Sequence, residues 1–392
     1  MNRRELLTLL AWPLDGGQED VRRLVATPEG RANYLRGMLR ALCTEIGPRP
    51  SGSKGYDAGV AIIRREFERS LPEVMVDTLE FRRWVVVGEP LFQVGGRRLE
   101  TYVADSSPAT PEGGIRGVLR KRGEYEVVDP SSGAVLARAG ISEFGRAIVS
   151  SHSGKDDVPL FNLGRQDAGM LDRAAREKTP VEARARVKWI PGVKTSSVAG
   201  TLPGDSKDEI MVVAHADTKY NTPGANDNTA SLITMLMLAH AVSGRRPAKT
   251  LSFLATAGEE LHYLGARHYA RTRKERGTLG DIRICVNLDS LTYGPNLQIN
   301  TTDDALGRTI LDIHRDLGIR AEPKVFHRDD TMDSAPFLAA GARTVHLNSR
   351  GDDARTLPLW HRPEDRAETI QPEFVESSFL VLRELIERLL RG

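Results

Sequence analysis

From Thr195 to the C-terminus the chain alternates short apolar runs with stretches of helical spacing, and this alternation constrains the fold more than any single motif. SVAGTLP, EIMVVAHAD, TLSFLATA, IRICVNLD and RTVHLN read as strands, with a further strand near AEPKVF. Helices are predicted over 229–243, 263–276, 304–317 and 333–340, and a last one over 372–390. The pattern places the chain in the α/β class, with a mixed, mostly parallel sheet sandwiched by helices. In such a sheet, chemistry is presented at the ends of strands.

Residues from about 30 to 71 read as two helices around the loop IGPRPSGSKG, followed by the strand VMVDTLEF. The character changes near Trp84. WVVVG, FQVGG, IRGVL, AIVSS, PLFNL and EARARVKWI are short β-like runs broken by Gly, Pro and Asp-Ser clusters, with one helix near AGMLDRAAREK. The expected organisation is therefore an N-terminal part of the main domain over 1–83, an inserted small β-rich domain over 84–194, and the main domain proper over 195–392.

A formal net charge of +2 implies no strong field for nucleic acid or anionic lipid. No apolar run reaches the length of a membrane span. The two cysteines, Cys43 and Cys285, lie in apolar patterns and read as buried small hydrophobes, not as a disulfide framework. The start, MNRRELLTLLAWPLDGG, carries Glu5 where a signal peptide would be basic and is followed by no small-x-small cleavage site, so a cytoplasmic protein is expected. Oligomeric state is not legible.

Five separated residues stand where strand-like runs end or loops open: His215, Asp227, Glu260, Asp289 and His361. Each has an ordinary alternative. An HxD such as His215-x-Asp217 is a weak signal, although an Asp there would fix the His tautomer. Asp227 in GANDN, just before a helix, would serve equally as an N-cap. Adjacent Glu259 and Glu260, after LSFLATA, would simply be solvated if the strand ended in water. Their conjunction is what points to metal. Imidazole and carboxylate without thiolate suit two zinc ions, with cobalt or manganese as substitutes. Glu259 is the spare carboxylate, placed for a general base.

IGPRPSGSKG, HAD, GANDN, GEE, NLD, DSAPFLAAG and WHRPED together resemble the co-catalytic zinc aminopeptidases, a superfamily that extends to glutamate carboxypeptidase II, the transferrin receptor and the glutaminyl cyclases. The resemblance covers roughly 30–80 and 195–390. It implies one zinc held by His215 and Asp289, a second by Glu260 and His361, Asp227 bridging them, Glu259 as general base and Asp217 orienting His215. The implied activity is release of N-terminal residues from peptides with a free amino terminus. No nucleic-acid or membrane partner is implied.

The chain departs from the family pattern at Trp360, where many members carry Tyr before the last His; Tyr220, Tyr263 or Tyr293 are the candidates to replace it. Ala230-Ser231 stands for the usual Ser-Gly. The insert resembles a protease-associated domain only loosely. Two other readings stay open at this level. One is a glutaminyl cyclase, suggested by Trp360-His361, Asp333 and DTKY. The other is a non-catalytic binding protein on a peptidase fold. A carboxypeptidase would need a cationic clamp, for which Arg328, Arg343, Arg350 and Arg355 are candidates.

Overall fold

The computed structural model describes residues 21–151, 157–319, 321–328, 332–351 and 357–391. The N-terminal segment weighed as a leader, His152 and Arg355 lie outside them. The chain divides into two compact units, one of residues 1–80, 194–354 and 364–392, the other of 81–193 and 355–363.

The first unit is built on an eight-stranded mixed sheet. Its strands are β1 (Glu73–Val86), β2 (Val187–Leu202), β3 (Ser206–His215), β4 (Lys249–Thr256), β5 (Ile282–Leu288), β6 (Asn296–Asn300), β7 (Lys324–Phe326) and β8 (Arg343–Arg350), in the spatial order β1-β2-β4-β3-β5-β8-β6-β7. The four central strands, β4, β3, β5 and β8, are mutually parallel, with β2 and β6 antiparallel to their inner neighbours. Along β3, Ile210, Val212 and Ala214 join one core cluster and Met211 and Val213 join another. A strand buried on both faces needs this continuous apolar run, and EIMVVAH supplies it.

The helices are α1 (Val21–Ala26), α2 (Pro28–Leu39), α3 (Lys54–Ser70), α4 (Ala230–Val242), α5 (Leu264–Glu275), α6 (Asp304–Asp316), α7 (Ala335–Leu338) and α8 (Pro372–Arg391). Helix α3 starts where Ser53 accepts the Tyr56 N–H, and α6 where Asp303 accepts that of Leu306. Every residue of α4 except Ala241 is buried, so LITMLMLAHA is core and not a substrate pocket. Phe67 of α3 packs on Phe253 of β4 at a centroid distance of 6.3 Å. Cys43 and Cys285 are both free and buried, one in each core cluster.

Among the elements that differ from the expected pattern, three have a plain physical reason. Strand β6, NLQIN, has polar residues at alternate positions between Pro295 and Thr301 and gives little apolar signal. Helix α7 is half the predicted length, because Asp333 is held by the Thr256 hydroxyl and Gly341 turns the chain with φ 96°. In the second unit AIVSS forms no strand. Ala147, Ile148 and Val149 are buried in a loop, and burial without ladder pairing carries the same apolar signature as a strand.

The second unit holds its own eight-stranded sheet and, among the described residues, one α-helix, Ala168–Glu177, around a core that includes Phe92, Leu119, Val127, Phe161, Leu163 and Leu171. Among the described residues, no helix is long and apolar enough to cross a membrane.

Candidate metal centre

Strands β3, β4 and β5 run parallel, so their C-terminal ends lie side by side, and the sequence-predicted residues cluster there. His215 is the last residue of β3 and is 2% exposed. Its Nδ1 donates to the backbone carbonyl of Asp217 at 3.1 Å. The bond fixes the tautomer and turns the Nε2 lone pair towards Asp227 Oδ1 at 3.2 Å, Asp289 Oδ1 at 3.7 Å and Glu259 Oε2 at 3.9 Å.

Asp217 thus faces His215 Nδ1 with its backbone carbonyl. The Asp217 carboxylate lies 3.7 Å from Nδ1. That carboxylate accepts the Glu259 N–H at 3.1 Å.

Asp227 sits in the wide turn Ala225–Thr229 that leads into α4. Gly224 opens this turn with φ 62°, and a Cβ there would stand 2.4 Å from the Asp227 carbonyl oxygen. Only glycine fits. Two residues outside the turn tie it down. Arg49, from IGPRPSGSKG, donates to the carbonyls of Leu42, Gly47 and Pro223 and to the Thr229 hydroxyl. Asp365, from WHRPED, accepts from the backbone N–H of Asn226 and Asp227 at 2.8 and 3.1 Å. The Asn228 side chain joins the turn to the end of β5 by donating to the Leu288 carbonyl and accepting the Ser290 N–H. Asp289, the residue after β5, is fixed by Ser290 Oγ at 2.9 Å.

Glu259 and Glu260 follow Gly258, whose φ is 64°, in a tight turn after β4. Lys219, 3% exposed, reaches both the Glu260 carbonyl at 3.0 Å and its Oε2 at 3.1 Å. One ligand atom from each of His215, Asp227 and Asp289 lies within 4.8 Å of the others, and Asp227 and Glu260 approach one another as closely. Asp227 therefore belongs to both sets.

His361 lies in the segment of the second unit over 355–363, buried. Its Nδ1 donates to the Val149 carbonyl at 2.7 Å and Trp360 stacks on the ring at 3.9 Å. The residue that orients this imidazole is thus in the AIVSS loop, where sequence reading had expected a strand.

The electrostatics call for cations. Burial pushes the Asp217, Asp333 and Asp365 carboxyls each up to about 7. Glu259 is pushed well above its ordinary value, by burial first and then by Glu260, Asp289 and Asp333 against the opposing pull of His215. Burial alone would lower the His215 imidazole, but Glu259, Asp227 and Asp289 raise it well above its ordinary value. A buried imidazole nitrogen among carboxylates, in an oxygen and nitrogen donor set, fits zinc, which would take the place of the proton.

Among the alternative hydroxyls, Tyr263 points to Met332 Sδ at 3.8 Å. The Tyr293 hydroxyl is buried, and burial followed by Asp365, Asp227 and Asp289 pushes it up. His240 is not part of the site. It is a fully buried residue of α4, against Tyr34, Glu66 and Ser70.

The fold is thus a mixed sheet between helices, with buried carboxylates and an imidazole gathered at the C-terminal ends of its strands, a donor set that suits zinc. Residues 197–386 match the family model of Peptidase family M28. Aminopeptidase YwaD of Bacillus subtilis is 22% identical over 380 residues, covering 89% of this chain and 82% of that protein. The structure of BSAP, a zinc aminopeptidase from Bacillus subtilis, superposes with a TM-score of 0.72 at 18% identity, over 92% of this chain and 95% of that one. A Peptidase M28 precursor from Shewanella amazonensis gives a TM-score of 0.74 at 15% identity, over 94% and 96%. These matches support a likeness to the zinc exopeptidase superfamily over residues 197–386, and the solved structures share the fold. These matches do not favour the cyclase or the non-catalytic reading.

Proposed function

We propose that the chain is a dinuclear zinc aminopeptidase, cytoplasmic in setting, that releases single residues from the free amino terminus of peptides. The observation that carries this reading is the His215 Nε2 lone pair, aimed at Asp227, Asp289 and Glu259 within 3.9 Å. His215 and Asp289 would hold one ion, Glu260 and His361 the other, with Asp227 shared. His361 is assigned by the motif WHRPED, and its Nδ1 bond to the Val149 carbonyl fixes the ring.

The ions would supply a water acidified towards a pKa of about 7 and would polarise the scissile carbonyl. The chain's own residues do the rest. Glu259 takes a proton from the attacking water and returns it to the leaving amine. The Asp217 carboxylate fixes the Glu259 backbone at 3.1 Å and so aims that base. The substrate's α-ammonium finds its counter-charge in Glu259 and Asp289, so a free amino terminus is favoured and internal bonds are not.

The test is mass spectrometry of a peptide and its N-acetylated twin after incubation with zinc-loaded protein, with Glu259→Gln as control. The reading expects stepwise loss of N-terminal residues from the free peptide only, abolished in the variant. Loss of ammonia confined to peptides starting with Gln would make it a cyclase. No change in either peptide would contradict the reading.

A further inference from the structure

We infer that Lys219 is a positioning residue that keeps Glu260 a one-oxygen metal ligand. The inference rests on the metal assignment above and goes beyond it, because Lys219 belongs to none of the ligand sets.

A lysine is seldom buried without a reason, since taking an ammonium out of water costs several kcal/mol unless it is paired. Lys219 is 3% exposed and Glu260 is 9% exposed. The ammonium spans two atoms of one residue, the Glu260 carbonyl at 3.0 Å and Oε2 at 3.1 Å. Bonding backbone and side chain together fixes the glutamate's rotamer as well as its charge. The surrounding backbone leaves little slack, because Gly258, His262 and Tyr263 all have positive φ and hold the turn on both sides of Glu260.

The consequence is a division of labour between the two carboxylate oxygens. Oε2 is taken by Lys219, so Oε1 is the atom offered to a metal. Without the lysine the carboxylate is free to rotate and to present both oxygens. That would add a ligand to one ion and fill the position that a substrate carbonyl needs. The same chain turn carries both functions: His215 ligates, the carbonyl of Asp217 orients it, and Lys219, four residues after His215, disciplines the glutamate of the neighbouring strand.

The test is stepwise Co²⁺ titration of the metal-free protein, followed by visible absorption, for the wild type, Lys219→Met and Lys219→Gln. The Gln variant keeps a neutral donor and serves if the Met variant does not fold. Coordination number governs the intensity of these bands. The inference expects wild type to bind two Co²⁺. It expects the Met variant to lose intensity for one equivalent only, with Gln between the two. In peptide hydrolysis KM should rise in the Met variant, while the spectrum of the other equivalent stays as in wild type. Unchanged spectra for both equivalents would overturn the inference, as would equal change in both, which would make Lys219 a general support of the fold. Failure of the wild type itself to bind Co²⁺ would sink the metal assignment and this inference with it, and is distinguished by that control.

Discussion

The carboxylate of Asp365 accepts the backbone N–H of Asp227 at 3.1 Å, so one acid of the centre is held in place by another that is no ligand. Asp365 also accepts the N–H and the side-chain amide of Asn226. Asp365→Ala should leave the fold intact and weaken metal binding about 10–100-fold, the usual range for groups that orient ligands. Competition with a chromophoric chelator checks this, and affinity within twofold of wild type would contradict the assigned role.

Arg49 should be a stability residue with a functional signature. It is 1% exposed and its guanidinium satisfies three carbonyls and a hydroxyl. Arg49→Met leaves those acceptors unpaired and should cost about 3 kcal/mol or more, read from chemical denaturation. Arg49→Lys should recover little of it, since an ammonium cannot reproduce the planar fork.

Glu259→Gln separates chemistry from metal binding. The account expects kcat to fall by about 10²–10⁴-fold with metal content unchanged, because a general base is removed and no ligand is. Metal analysis alongside steady-state kinetics checks both halves. Loss of metal in this variant would mean that Glu259 is itself a ligand.

Acid stability should carry a slice that belongs to Glu66. Burial alone would raise this carboxyl, but His240, Arg69 and Tyr34 hold it down at about 2. Its folded pKa lies below the unfolded value of 4.5, so the unfolded chain binds the extra proton as pH falls. The stabilisation is complete above about pH 4.5 and is lost on the way to about pH 2, amounting to roughly 3 kcal/mol. The stability difference between wild type and Glu66→Gln, followed in metal-free protein, should be flat above pH 5 and shrink towards pH 2. A difference that stays constant across this range would contradict it.

How far the sequence led depends on what each residue does. The β3, β4, β5 and β8 runs were legible because a strand buried on both faces must be apolar throughout. His215, Asp227, Glu260 and Asp289 could be nominated from sequence because ligand chemistry allows few residue types. Lys219, Asp365 and Arg49 were not, although all three lie in quoted segments. Their roles come from partners about 40, 140 and 180 positions away, which no local pattern encodes. Val149 was misread for a related reason, since an apolar run reports burial and not pairing. NLQIN was missed because a short strand near the sheet edge leaves too little apolar periodicity to see.

The central claim is that Asp227 serves two ions at once. Zinc content by elemental mass spectrometry, on protein reconstituted with excess zinc and desalted, tests it most directly. The account predicts two zinc ions per chain in wild type and one in Glu260→Ala, with Asp227→Ala lower than either. A wild-type value of one or none, or a Glu260→Ala value equal to wild type, would contradict it.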